Sequence, residues 1–306
     1  MSSKKQDART MFKIEFTKSS NVHMLTAEEL KRLQAVELEI LKDFLKVVEE
    51  NNISYTLSGG SVLGTIRHGG FIPWDDDVDI NMTRASYRKF CKIFAETMGN
   101  RYELWAPELG HDHGLAHVQI KKKNTVYQSF NELSKENNGI YLDVFIVENT
   151  PDNAFLRKLH GCLCLGIGYL LTCRKTYYDM PYLEKYMGDS QVLKKALMKK
   201  VRIGRVFSWM SLDSISRLTC HVYSMCKNDN SKYVTIPSGR KHYFGEVQLR
   251  ENLCETVEMK FEDVDVKIPK GYKKYMQGLY GNTYMSIPPL QKREQHPLMK
   301  LDFGDE

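Results

Sequence analysis

Between Leu57 and Ile80 the chain reads LSGGSVLGTIRHGGFIPWDDDVDI. Four carboxylates, Asp75, Asp76, Asp77 and Asp79, fall within five positions, bracketed by the apolar Ile72, Trp74, Val78 and Ile80. Acidic groups this close repel one another unless a counter-charge is at hand, and the apolar neighbours argue against a solvated acidic turn. A divalent cation is the simplest compensation. Carboxylate oxygens suit Mg²⁺, with Mn²⁺ as the second fit, and Mg²⁺ commonly takes one or two carboxylates plus substrate phosphate oxygens.

Spacing assigns the aspartates. Val78–Met82 reads as a strand; if it extends back to Asp77, then Asp77 and Asp79 share one face, roughly 6.6 Å apart at about 3.3 Å per residue. Asp76 and Val78 then point the other way. Asp75, after Pro73-Trp74, sits in the approach loop and is near enough to add a ligand. Upstream, Ser58-Gly59-Gly60-Ser61 is a turn opening a helix, Val62–Arg67, that ends at His68-Gly69-Gly70. Glycines allow close backbone approach, and N–H groups at a helix start bind phosphate. Turn, helix and acidic strand in that order is the arrangement of the nucleotidyltransferase fold. Such a site normally draws a third carboxylate from a neighbouring strand. Asp143, inside the apolar run Tyr141–Val147, is the candidate, because a carboxylate there is costly unless paired or coordinated.

The rest of the chain sets the frame. Its 306 residues allow two domains, or one large domain with appendages. A composition 42% hydrophobic and 27% charged excludes disordered and collagen-like classes. A net charge of +6 suits phosphate handling or an anionic surface but is too diffuse for a nucleic-acid binder. Seven cysteines without a CxxC pair argue against zinc ribbons and for a reducing cytosol. The N-terminal stretch has no signal-peptide core, so a cytoplasmic protein is expected, with the inner membrane face as an added possibility. Thr26-Ala27-Glu28-Glu29 is a capping box. It opens a helix whose apolar stripe (Leu30, Leu33, Leu41, Phe44, Val48) has one longer step and which ends near Asn51-Asn52. Strands are expected at Ile53–Leu57, Tyr102–Trp105, His117–Lys121 and Tyr141–Val147, and a helix at Arg84–Met98.

From Asp152 to about Lys227 the chain reads as helical, with breaks at Pro181 and Gly188. Within it, Leu159–Cys173 is an apolar run of only 15 residues, short for a bilayer span. A buried helix is the expectation there, a membrane-facing helix the alternative. Lys194, Lys195, Lys199, Lys200, Arg202 and Arg205 form a basic cluster, either a solvated helix face or a contact for an anionic acceptor or membrane. The expected fold class is α/β (α+β): a mixed nucleotidyltransferase-like sheet flanked by helices, with a further helical lobe. The organisation expected is a catalytic core at 26–150, a helical, acceptor- or membrane-facing lobe at 151–230, and an α+β segment at 231–306 packing back on the core.

These residues together resemble the LicD family of fukutin-related phosphotransferases. The resemblance rests on Gly60-Ser61, Leu63-Gly64, Arg67-His68, Ile72-Pro73-Trp74-Asp75, Asp77-Val78-Asp79 and Asp143-Val144-Phe145. The terminal GYKKYMQGLYGNTYMSIPP, with Lys292-Arg293 and His296, completes it. The uninterrupted Asp75-Asp76-Asp77 is closer to the bacterial phosphocholine transferases. The resemblance implies a metal-dependent transfer of phosphocholine from CDP-choline to a hydroxyl of a surface glycan precursor (teichoic acid, lipopolysaccharide or capsule), with CMP released. The acceptor is lipid-linked in one variant of this scheme. It further implies that Asp77 and Asp79 hold Mg²⁺ with Asp75 assisting, that Asp143 takes the acceptor proton, and that Arg67 neutralises phosphoryl charge. Gly59, Gly60 and Ser61 would bind phosphate through backbone N–H groups. His68, Trp74, Lys121, Arg293 and His296 are further substrate-binding candidates. The loop histidines His111, His113 and His117 do not read as a zinc site. A choline headgroup would want ring faces such as Trp74, Tyr141, Tyr177 and Tyr178. Phosphoribitol transfer, nucleotidyl transfer from an NTP, and a silent binding protein are the competing readings.

Overall fold

The computed structural model describes residues 23–110, 114–129, 138–187, 191–290, 293 and 298–304. Helix α1, Ala27–Glu50, begins where the capping box places it: the Glu29 N–H donates to Thr26 Oγ1 (3.2 Å) and the Thr26 N–H to the Glu29 carboxylate (2.9 Å). Its apolar stripe, Leu33, Ile40, Leu41, Phe44 and Val48, is fully dry. After Asn51 only Thr56–Leu57 pairs as a strand (β1), shorter than the alternation from Ile53 predicts, because Ile53 and Tyr55 bury without a ladder partner.

Helix α2, Gly59–His68, starts three residues earlier than expected, so the glycines are its first turn rather than a turn before it. It closes on Gly69 in the left-handed conformation (φ 72°), a standard helix stop. Strand β2 (Asp79–Thr83), helix α3 (Arg84–Thr97), β3 (Tyr102–Trp105), β4 (Val118–Lys122), β5 (Val126–Ser129) and β6 (Tyr141–Asn149) follow. The main sheet runs β1-β2-β6-β4-β3 and is mixed: β2 and β6 are parallel, and the other pairings are antiparallel. The end of β6 continues into β7 (Tyr233–Thr235), which pairs with β8 (Gln248–Leu249). An α+β fold with a mixed, helix-flanked sheet is therefore what the chain adopts.

The helical stretch is α4 (Ala154–Met187), α5 (Gln191–Val206) and α6 (Leu212–Tyr223). Pro181 does not break α4 as expected but lies inside it. A proline costs one backbone bond, and packing of α4 against α5 outweighs that loss. Gly188 lies outside the described residues. Beyond β7 come α7 (His242–Gly245), α8 (Arg250–Cys254), the hairpin β9–β10 (Thr256–Phe261, Val264–Pro269) and α9 (Tyr272–Tyr280). Finally β11 (Leu298–Asp302) returns to pair with β5, which no local sequence signal indicates. Phe261, Val266, Ile268, Tyr275 and Met276 join the same core as α1 and the main sheet.

Candidate active site

Parallel pairing of β2 and β6 sets Asp79 directly beside Asp143. Register carries the row on through Gln119 of β4 to Trp105 of β3. Asp143 accepts from Gln119 Nε2 at 3.0 Å, and His117 Nε2 lies 3.3 Å from the same oxygen. The expected third carboxylate therefore stands where the topology of the sheet requires it.

The aspartate run itself departs from the expectation. Strand β2 begins at Asp79, so Asp77 precedes the pleat and strand alternation does not set its direction. A turn closed by the Asp75 N–H on Ile72 O (2.9 Å) gathers Asp75, Asp76 and Asp77, with one oxygen of each within 4.8 Å of the others. Asp76, expected to point away, belongs to this group while it also accepts from the buried Tyr127 hydroxyl at 2.8 Å. Asp79 sits beside the group rather than in it. Burial first, then repulsion from Asp77, Asp143 and Asp75, pushes its carboxyl well above the usual range.

The start of α2 faces both carboxylate sets. A Cβ on Gly59 would lie 2.7 Å from Asp79 Oδ2, and one on Gly60 2.7 Å from Asp75 Oδ2. These two positions are glycine because acidic oxygens press against the helix N-terminus, where backbone N–H groups and the helix dipole favour negative charge. Ser61 turns its hydroxyl inward and accepts from the Asp79 N–H at 2.8 Å. From the far side α9 supplies Tyr275, whose hydroxyl lies 3.0 Å from Ser58 Oγ, and Tyr280, whose hydroxyl is buried near Asp79. Arg240 stacks on Tyr280 with its guanidinium 5.3 Å from the ring centre, and its charge acts on Asp79.

A second set of residues gathers on Trp74. The Arg293 guanidinium lies 4.1 Å from its ring centre and that of Arg67 5.8 Å; the His68 ring meets it edge-on at 6.1 Å. Arg67 also donates to the carbonyls of Tyr284 (2.9 Å) and Ser286 (3.3 Å), tying the C-terminal segment to α2. Burial lowers the Arg67 pKa while Asp75 raises it; burial and the Arg67 charge lower that of His68. His296, like Lys292, His111 and His113, lies outside the described residues.

Lys121, a substrate-binding candidate from its sequence, is buried, donates to Asn138 Oδ1 at 3.0 Å, and lies 3.9 Å from the Trp105 ring centre. Three of the candidate choline-facing rings have protein cations against them. Trp74 faces Arg293, Tyr141 has Lys121 at 5.8 Å, and Tyr177 has Arg174 at 5.5 Å, so each ring already faces a protein cation.

Glu37 of α1 was not foreseen. It is 2% exposed, its Oε2 has no hydrogen-bond partner, and its carboxyl is pushed well up by burial and by Asp77, Asp76, Asp75 and Asp143. The donor set fits a divalent cation: Glu37 and Asp79 are both buried under repulsion from Asp75, Asp77 and Asp143, and Glu37 has a buried oxygen without a partner.

A mixed sheet carrying paired carboxylates on adjacent parallel strands, under the start of a glycine-opened helix, defines a nucleotidyltransferase-type domain. Residues 52–159 match the family profile described as "LicD/FKTN/FKRP, nucleotidyltransferase domain". The chain is 24% identical over 277 residues to the lipopolysaccharide cholinephosphotransferase LicD of Haemophilus influenzae, covering 89% of this chain and 97% of that protein. It is 32% identical over 102 residues to the ribitol 5-phosphate transferase FKRP of Mus musculus, covering 32% of this chain and 18% of that protein. The human FKRP is 41% identical over 64 residues, 21% of this chain and 11% of that protein.

Proposed function

We propose that this LicD-family transferase moves phosphocholine from CDP-choline to a hydroxyl of a cell-surface glycan precursor and releases CMP. The observation that carries the reading is the side-by-side register of Asp79 and Asp143 next to the Asp75–Asp77 group, under the Gly59–Gly60 helix start. The similarity to a lipopolysaccharide cholinephosphotransferase over nearly the full length of both chains supports phosphocholine as the transferred group. Asp75, Asp77 and Asp79 would hold Mg²⁺, with Mn²⁺ as a substitute, and Asp76 is close enough to share the load. Bound there, the ion would neutralise charge on the pyrophosphate and on leaving CMP.

The chain's own residues account for the remaining work. Asp143, oriented by Gln119 and His117, takes the proton of the acceptor hydroxyl. The N–H groups at the start of α2 would bind incoming phosphate oxygens. Arg67 presents positive charge to Asp75, and Arg293 stacks on the Trp74 ring beside it. Phosphorus NMR with Mg²⁺ and CDP-choline, CDP-ribitol or CTP offered separately tests the reading. Metal-dependent conversion of CDP-choline to CMP, lost in Asp77→Ala, is the expected result. Cleavage of CTP to pyrophosphate with CDP-choline untouched would replace it with nucleotidyl transfer.

A further inference from the structure

By length and composition Ala154–Glu184 of helix α4 is long and apolar enough to cross a membrane. Its packing is one-sided. On one face His160 bonds the Tyr243 hydroxyl (3.2 Å) and Val222 O (2.9 Å), and Cys164 and Leu171 are buried. On the other face Phe155 is 75% exposed, and Leu156, Leu159, Leu163 and Tyr169 are each 45–51% exposed. With Cys162 and Gly166, which has nothing near its missing side chain, they form one stripe over four turns. At about 1.5 Å per residue the stripe is roughly 21 Å long. Among the described residues nothing packs on it. The exposed stripe is shorter than the hydrocarbon core of about 30 Å, so it suits a surface contact rather than a span.

Charge names the occupant. Residues 151–230 hold 13 Lys and Arg against 6 Asp and Glu, a net +7, where the whole chain is +6. The excess positive charge of the chain therefore falls in the segment that contains α4 and the basic helix α5 packed on it. Lys158 is exposed at its rim, and Lys199 and Lys200 act on Cys173, one turn beyond Tyr169. The corner after α5 adds the exposed Val206 and Trp209. A second copy would bring +7 against +7. A bilayer with anionic headgroups offers both apolar depth and opposite charge.

We infer that the outer face of α4, from Phe155 to Tyr169, is an interfacial membrane-docking surface that recognises anionic lipid headgroups through the surrounding lysines and arginines. It does not rest on the proposed reaction. The test is flotation of the full chain with phosphatidylcholine vesicles, with and without phosphatidylglycerol. Two variants are run beside it, Leu159→Glu/Leu163→Glu and Lys199→Glu/Lys200→Glu, with circular dichroism to confirm folding. These side chains face solvent, so the folded state is retained. The expected result is binding to the phosphatidylglycerol vesicles that falls ~10-fold or more in the leucine variant. The lysine variant should lose the preference for anionic over neutral vesicles. Absence of wild-type flotation with either vesicle, or unchanged flotation of the leucine variant, would overturn the inference. So would a wild-type dimer that the leucine variant splits into monomers.

Discussion

Asp143 holds its carboxylate between Gln119 and His117 on one side and Asp79 on the other. Asn at 143 keeps the shape and the Gln119 contact but cannot accept a proton. Asp143→Asn should therefore lower CMP release by about 10²–10⁴-fold without changing the melting temperature by more than a few degrees. Equal activity would remove Asp143 from proton transfer. Glu37 is a different kind of residue, since it touches no solvent and has an oxygen without a partner. Its folded-state carboxyl is raised by burial and by four aspartates. It therefore stabilises the fold below the ordinary carboxylate range and forfeits that contribution as pH rises. Glu37→Gln should make the metal-free protein more stable than wild type at pH 8. It should also weaken Mg²⁺ binding by about 10–100-fold in calorimetry, as loss of a supporting carboxyl does. The sequence held a sign of this residue. The longer step in the α1 stripe, between Leu33 and Leu41, falls on position 37, where a buried-face residue is acidic. Asp75, Asp77, Asp79 and Asp143 were legible because clustered or apolar-flanked carboxylates have few physical explanations. Tyr275, Tyr280 and Arg240 were not, because their role depends on α9 and the 240 loop returning to α2.

Helix α2 shows how an element is tuned to the charge it faces. Its first residues are glycine because Asp79 and Asp75 oxygens occupy the space of a Cβ. At Gly60 the crowding atom is the end of a side chain, and alanine favours helix by up to about 1 kcal/mol. Gly60→Ala should thus leave the unfolding midpoint unchanged or slightly raised. Activity should fall by about 10²-fold, since pushing Asp75 aside displaces a group from working geometry. A joint loss of stability and activity would contradict this account. The 239–246 segment carries Arg240 toward Asp79 and depends on Glu246, which accepts the Lys241 N–H at 3.0 Å. Burial, partly offset by that bond and by the Lys241 and Arg240 charges, pushes Glu246 from 4.5 up to about 7. The raised value means stability is full below pH 4.5 and declines as pH rises through about 7. The decline is on the order of 3 kcal/mol. In urea titrations at pH 4.5 and 8, Glu246→Gln should remove most of this difference. Elements with local signals, such as the α1 capping box and the β3 strand, were readable from sequence. Strands β5 and β11 were not, because their pairing joins residues about 170 positions apart.

At the scale of the whole molecule, strand β6 joins the two functions argued for it. Asp143 lies near its start and Glu148 near its end, after which the chain passes into α4. Glu148 is buried and pairs with Arg84 at the start of α3; Arg84 also reaches Glu108 and the Cys220 thiol of α6. Glu148 outweighs burial and keeps Arg84 firmly charged. This cluster ties the catalytic sheet to the helices that carry the exposed stripe, and it is polar where a simple packing contact would be apolar. A buried ion pair contributes little over a hydrophobic substitute, but breaking one side leaves the other charge unpaired. Arg84→Met should therefore cost about 3–5 kcal/mol in urea unfolding, whereas Arg84→Met with Glu148→Gln should recover a large part of that loss. The sequence could not announce this tie, since Arg84 and Glu148 are ordinary charged residues until β2 and β6 pair. If the single variant loses less than about 1 kcal/mol, the helices are held to the sheet by apolar packing alone. If it loses the full amount and flotation on anionic vesicles falls with it, the same pair that anchors β6 also sets the angle at which α4 presents its stripe to a membrane.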